Sequence, residues 1–339
     1  MSITIKDVAK KAGVSIATVS HVLNKTRYVS DELIENVNNA VDELGYYPNL
    51  LVGSLRNKKT YTIGLIMPSI SNETFGRLAE NIQQKLFKHN YNIIICNTLY
   101  DADVEQAELR TLLTKKVDGI IIIPTSTNKK IFEKIINTKV PLIFVDRIIR
   151  NLKVDTVIVD NFKGTYEAIK YLIDLGHKKI GYIDRMTDHS HSVDQKKGYK
   201  NALEDSGIDF KPELVVRANG FDYGSGADAA KKLLNKVIRP TAIFAYFDII
   251  ALGAMRKVLD MGLKVPNDVS IIGCDGMPFT QSCNPRLTTI KFPIFKISKI
   301  ACDIILKRIK NPDFSKEQEV VVRPRLIKRE SAGPVSDPE

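Results

Sequence analysis

The chain has 339 residues and a formal net charge of +11, and 44% of its residues are hydrophobic. That length exceeds one typical core and implies about two or three domains of roughly 100–200 residues each. No apolar run reaches the ~18 residues of a membrane helix, and the four scattered cysteines (Cys96, Cys274, Cys283, Cys302) exclude a disulfide framework or a zinc site.

The N-terminal "MSITIKDVAKK" carries charges where a secretory segment would be apolar, which points to a cytoplasmic protein. Apolar residues at Ile5, Val8, Ala9 and Ala12 have the 3.6-residue period of a half-buried helix. Gly13 and Val14 interrupt it. Ser15 is a good N-cap for a second helix through Val19, Val22 and Leu23, and Ser30 opens a third that ends at Gly45. Next comes "PNLLVGSLRNKKT", with only about two helical turns after Pro48, fewer than the ~12–15 residues at which an isolated helix becomes stable. Gly53 weakens it by a further ~1 kcal/mol relative to Ala. This segment is expected to fold only against a partner.

Beyond Thr60 the pattern changes. Apolar runs of strand length recur at 61–67, 91–97, 117–123, 140–146, 156–160, 179–184, 242–246 and 269–275. Helical stretches such as 75–89, 103–116, 164–175, 192–205, 224–235 and 249–261 lie between them. Strands that are apolar without alternation, separated by helices, indicate parallel sheets covered on both faces. There are too many for one doubly wound sheet, so two α/β lobes are expected. The final "SAGPVSDPE" reads as a flexible tail.

Two short helices joined by a Gly-containing turn form a helix–turn–helix. In "TIKDVAKKAGVSIATVSHVLN", Ala9, Val14, Val19 and Val22 would pack inside, leaving Ser15, Ile16, Ala17, Thr18, Ser20 and His21 outside. Hydroxyls bond phosphates, a His donates to a guanine edge, and Ile or Ala touches a thymine methyl. A helical bundle used for dimerisation would show the same apolar pattern.

This stretch resembles the DNA-binding headpiece of the lactose-repressor (LacI/GalR) family of bacterial transcription regulators. The similarity continues through "YVSDELIENVNNAVDELGYYPN", "VDGIIIIPTS", "VPLIFVDR", "RPTAIFAYFDIIALGAM" and "VPNDVSIIGCDG", and covers the chain from about Thr4 to Arg329. The resemblance implies a helix–turn–helix headpiece (1–46), a hinge (47–60) and a periplasmic-binding-protein-like α/β core (61–330), followed by a tail (331–339). Lobe one would take about 61–160 plus 291–330, and lobe two 161–290.

It further implies a homodimer on a pseudo-palindromic operator in double-stranded DNA, and a repressor whose operator affinity follows a small effector, a sugar or sugar derivative. The base-reading positions fall on Ile16, Ala17 and His21, with Thr4, Ser15, Thr18, Ser20 and Asn24 nearby and Tyr28 at a phosphate. Leu55 would wedge into the central base step, with Arg56 at the groove or backbone. Effector positions fall on Thr74, Phe75, Asp146, Arg147, His189, His191, Gln195, Phe221, Asp248 and Asp275. Gln195 departs from the family, many of whose members carry a ligand-gripping Arg there. Lys296 and Asp303 invert the charge signs of the branch that binds a phosphocarrier, which speaks against that partner.

Two signals point elsewhere. "GSGADA" (224–229) contains GxGxxA, but five residues separate it from the strand-like "LVVRA", so a helix start capped by Asp222 or Ser225 is the better reading. "DHSH" lacks a third ligand at metal spacing. No cofactor, metal or catalytic motif is expected, and a solute-binding protein without DNA binding is the alternative function.

Overall fold

The computed structural model describes residues 3–24, 26–46, 59–185, 189–311 and 316–335. The hinge residues Leu55 and Arg56 lie outside the described residues. The chain divides into two compact units, Met1–Thr60 and Tyr61–Glu339.

The first unit holds α1 (Ile5–Ala12), α2 (Ile16–Asn24) and α3 (Asp31–Leu44). Thr4 caps α1 through Asp7, whose Oδ2 accepts from the Thr4 amide at 2.8 Å and its hydroxyl at 2.7 Å. Gly13 closes α1 at φ +68°, in the left-handed region where a Cβ is costly. Ser15 Oγ accepts from the Thr18 amide at 3.0 Å and so starts α2. Val8, Val19 and Val37, one from each helix, are fully buried together with Ala9, Val22 and Ala40. Each buried Val contributes ~1.5–3 kcal/mol, which binds three helices too short to persist alone.

The second unit is built on two six-stranded sheets. The first contains β1 (Thr62–Met67), β2 (Asn92–Asn97), β3 (Gly119–Ile122), β4 (Leu142–Val145) and β5 (Asp155–Val159), plus β11 (Glu319–Val322). Its order is β11-β5-β4-β3-β1-β2, and every pairing is parallel. "GIII" and "LIFV" in β3 and β4 are buried at every position, as expected of strands covered on both faces. The covering helices are α4 (Glu73–Phe87), α5 (Ala102–Thr114), α6 (Lys129–Ile136) and α11 (Ile294–Lys310).

The second sheet runs β12-β10-β9-β8-β6-β7, from β6 (Ile180–Asp184), β7 (Val215–Arg217), β8 (Ala242–Ala245), β9 (Ser270–Asp275), β10 (Thr288–Lys291) and β12 (Arg325–Ile327). Only β12 is antiparallel. It is flanked by α7 (Asn161–Asp174), α8 (Ser190–Glu204), α9 (Tyr223–Leu234) and α10 (Asp248–Asp260).

Two boundaries differ from expectation. Residues 291–330 do not all belong to lobe one, because Arg325–Ile327 pairs with β10 in the second sheet. Nor is the chain free over residues 331–335. Ser331 and Ala332 are buried, the Ile271 amide donates to the Ser331 carbonyl at 2.7 Å, and the Val335 amide donates to the Leu175 carbonyl at 2.9 Å. His177 adds a bond to the Gly333 carbonyl at 3.0 Å. A polar composition had suggested a tail from Ser331, but backbone partners in lobe two hold residues 331–335.

The "GSGADA" motif also finds its reason here. Asp222 caps α9, with Oδ1 accepting from the Ser225 amide at 2.8 Å. A Cβ on Gly226 would meet the Ile250 carbonyl oxygen at 2.2 Å, so this glycine lets α9 lie against α10.

Candidate DNA-binding face and ligand cleft

In the first unit, α2 presents Ser15, Ile16 and Ala17 as exposed residues at its start, while Val19 and Val22 point into the core. Thr18, Ser20 and His21 are half-buried on the same helix, and Asn24 is exposed at its end. Several of these side chains already have local partners. Ser15 Oγ lies 2.9 Å from Thr18 Oγ1, His21 Nδ1 lies 2.8 Å from Thr26 Oγ1, and Asn24 Nδ2 donates to the Ser20 carbonyl at 2.8 Å. Tyr28 is 94% exposed. Thr4 is committed to its cap with Asp7. The arrangement offers two apolar contacts (Ile16, Ala17) flanked by hydroxyl and imidazole donors, the chemistry that reads base edges and backbone.

In the second unit a cavity lies between the two sheets at the carboxyl ends of their strands, where open α/β sheets bind ligands. Its walls include Thr74 and Phe75 at the start of α4, Asp146 and Arg147 after β4, His191 and Gln195 one turn apart on α8, and Asp275 at the end of β9. Thus seven of the anticipated residues come together. Asn72, Asn161, Phe247, Cys274 and Phe292 complete the wall and had not been anticipated.

The wall is polar and incompletely satisfied. Arg147 Nη1 donates to the Pro124 carbonyl at 2.6 Å, while its Nε has no partner. His191 Nε2 meets the Tyr246 hydroxyl, and its Nδ1 is buried and unpaired. Outside the wall, Asp184 Oδ1 accepts from the Tyr182 hydroxyl at 3.2 Å and its Oδ2 is unpaired. Native proteins leave few such atoms buried, so the two on the cleft wall, Arg147 Nε and His191 Nδ1, mark a place for a polar ligand.

Burial pushes the Asp146 carboxyl up, with Arg147 pulling it back. Burial, then the neighbouring Asp248, pushes Asp275 well up. His189 falls to about 3, first through burial and then through Arg147 and Arg185. Asp146 and Asp275 also sit at positive φ, +67° and +120°, so each strand ends in a strained turn that aims a carboxylate.

Three anticipated residues do not line the cavity. Asp248 is fully buried behind it, where Oδ2 accepts from the Met277 amide at 2.8 Å and Oδ1 from the Thr289 hydroxyl at 2.5 Å. It braces the loop between β9 and β10, and its neighbour Phe247 takes the wall position. Phe221 stacks on Tyr100 of the other lobe, with ring centroids 4.4 Å apart and planes 9° apart. His189 lies beside His191 at a centroid distance of 5.9 Å, half-buried before the first turn of α8.

Sequence reasoning missed Arg185 and Tyr100. The Arg185 guanidinium sits 3.2 Å from the Phe221 ring centroid and 4.8 Å from that of Tyr100, joining the lobes at the cleft. Its position directly after β6 was the available signal. At the surface, Asp303 pairs with Lys85 and, at 3.0 Å, with Lys299, whereas Lys296 is exposed.

Comparison with known proteins gives consistent results. Residues 4–49 match the model of bacterial regulatory proteins of the lacI family, and residues 60–329 match that of periplasmic binding proteins and the sugar-binding domain of the LacI family. The chain is 37% identical to a ribose operon repressor of Haemophilus influenzae over 97% of this chain and 98% of that one. Among solved structures it is similar to the lac repressor dimer bound to operator and an anti-inducer, with a TM-score of 0.87 and 26% identity over 98% of this chain and all of that one. It also resembles a LacI-family regulator of Enterococcus faecium with bound ribose, with a TM-score of 0.73 and 30% identity over 81% of this chain and all of that one.

Proposed function

The chain belongs to the LacI family of bacterial regulatory proteins and is a DNA-binding transcriptional regulator controlled by an effector; from that premise we propose how its own residues perform the task. The protein works in the cytoplasm as a homodimeric repressor and catalyses no reaction. Each α2 enters the major groove of one operator half-site, with Ile16, Ala17 and His21 at base edges. Ser15, Thr18, Ser20, Asn24 and Tyr28 fix the register on phosphates. Leu55 and Arg56 of the hinge complete the interface in the minor groove.

The effector is a sugar or sugar derivative in the interlobe cleft. The supporting observation is the pair of buried unpaired atoms there, Arg147 Nε and His191 Nδ1, beside the Asp146 and Asp275 carboxyls. Carboxylates accept from sugar hydroxyls, and an aromatic wall of Phe75, Phe247 and Phe292 covers the apolar faces of a ring. Occupation changes the relation of the lobes, and operator affinity changes with it by linkage.

A gel-shift titration against palindromic sites near the protein's own gene tests the reading. It expects a shift at nanomolar protein and moderate salt, altered by a sugar that also raises the melting temperature. If no palindromic site shifts under those conditions, the proposed operator recognition is wrong.

A further inference from the structure

The sequence leaves a neutral Gln195 where a ligand-gripping guanidinium stands in many relatives, yet the cleft is not short of cations. Arg147 lines it from lobe one, and Arg185 of lobe two stands at its rim over Phe221 and Tyr100, close enough to act on His191 of the wall. Among the described residues neither has a carboxylate within ion-pair distance, since the ion pairs of the fold involve other groups. Arg147 is 3% exposed, bonded only through Nη1 to a carbonyl, with Nε unpaired. Arg185 rests on the faces of Phe221 and Tyr100, and Phe221 in turn lies 5.8 Å from Phe247 in the cavity wall. A guanidinium held against rings keeps its hydrogen-bond donors free at the edge of its plane.

The groups around the cleft fall into two poles. Asp275 feels Asp248, Asp146 and Glu73, all acids, whereas His189 and His191 feel Arg147 and Arg185; the poles meet where Arg147 also acts on the carboxyls of Asp146 and Glu105. Both histidines are driven toward the neutral form and cannot themselves supply or cancel charge near neutral pH. The basic pole therefore holds two cations that repel across the gap between the lobes. A phosphate monoester carries about −1.5 to −2 at pH 7, which matches two guanidiniums, and its oxygens suit their planar forks. A carboxylate would neutralise one of them.

We propose that the effector is a phosphorylated sugar whose phosphate lies between Arg147 and Arg185, with its hydroxyls toward Asp146 and Asp275. The inference rests on the reading of this cleft as the effector site. It makes Arg185 the residue that sets specificity in place of the guanidinium absent at Gln195. Because the two cations belong to different lobes, a bridging dianion also turns a repulsion into an attraction that favours closure.

The test is calorimetric titration of the full-length protein with ribose, glucose and fructose, each beside its 5- or 6-phosphate, and with inorganic phosphate alone. At least one phosphorylated sugar is expected to bind about tenfold or more tightly than its parent, with affinity falling as salt rises. Arg185→Gln is expected to remove about tenfold of that preference, and Arg185→Lys to retain part of it. The inference is overturned if a parent sugar binds as tightly as its phosphate, or if the preference survives in Arg185→Gln. Binding of neutral sugars alone defeats it while sparing the cleft as effector site. Absence of binding by either kind defeats both.

Discussion

Replacing Asp248 separates a brace from a ligand contact. In Asp248→Ala the Met277 amide and the Thr289 hydroxyl lose a fully buried acceptor. Each orphaned donor costs about 1–3 kcal/mol, so the loss is about 2–6 kcal/mol at acid pH. Its folded pKa stands at about 6, raised by burial against the opposing bonds from Thr289, Met277 and Gly276. The sign follows: an acid whose folded pKa exceeds its unfolded value of 3.8 stabilises most below 3.8, and that contribution falls as pH rises through about 6.

The alanine variant escapes this penalty, so its deficit should shrink by about 1 kcal/mol between pH 5 and pH 7.5. Asp248→Asn should stay within about 1 kcal/mol of the parent, with its oxygen on Met277 and its amide donating to Thr289. Urea unfolding of the core transition at both pH values measures all three proteins, and calorimetry measures their effector affinity. An alanine variant of parental stability that has lost effector binding would refute the brace and return Asp248 to the ligand.

Three further outcomes are expected. Leu55→Ala should weaken operator binding about tenfold or more without changing effector affinity, read by gel shift and calorimetry; unchanged operator affinity removes the wedge. Arg308→Met strands the buried Asp155, which now receives Arg308 at 2.6 and 2.8 Å, and should cost about 3–5 kcal/mol of core stability in urea; a cost under 1 kcal/mol contradicts that reading. Ser15→Ala removes the α2 cap and should lower headpiece stability by about 0.5–2 kcal/mol in thermal melts, with operator affinity falling in parallel.

The elements legible in the sequence are those whose signals are local. α1, α2 and α3 follow from apolar spacing, from helix starts at Ser15 and Ser30, and from Gly13 and Gly45. The central strands follow from runs such as 117–123 that are apolar on both faces. Short edge strands were not legible: β11 exposes Glu319 and Val321, and β12 is only three residues long. Each exists because a neighbour supplies its ladder, Thr156–Val159 for β11 and Thr289–Lys291 for β12.

The candidate site divides in the same way. The family resemblance put Thr74, Phe75, Asp146, Arg147, His191, Gln195 and Asp275 on the cleft, and parallel topology explains those at strand ends, Asp146, Arg147 and Asp275. Motif order could not tell Phe247 from Asp248, which begin one helix and point in opposite senses. It gave no reason to join Tyr100 to Phe221, 121 positions apart in sequence.

By itself, then, the sequence determined a helical reading head, parallel α/β lobes and the strand ends between them, since periodicity and capping act over a few residues. Only the tertiary structure decided which side chains from two separate sheets converge, and with what charge. Contacts such as Arg185 on Tyr100 depend on the packing of lobes that no local pattern records.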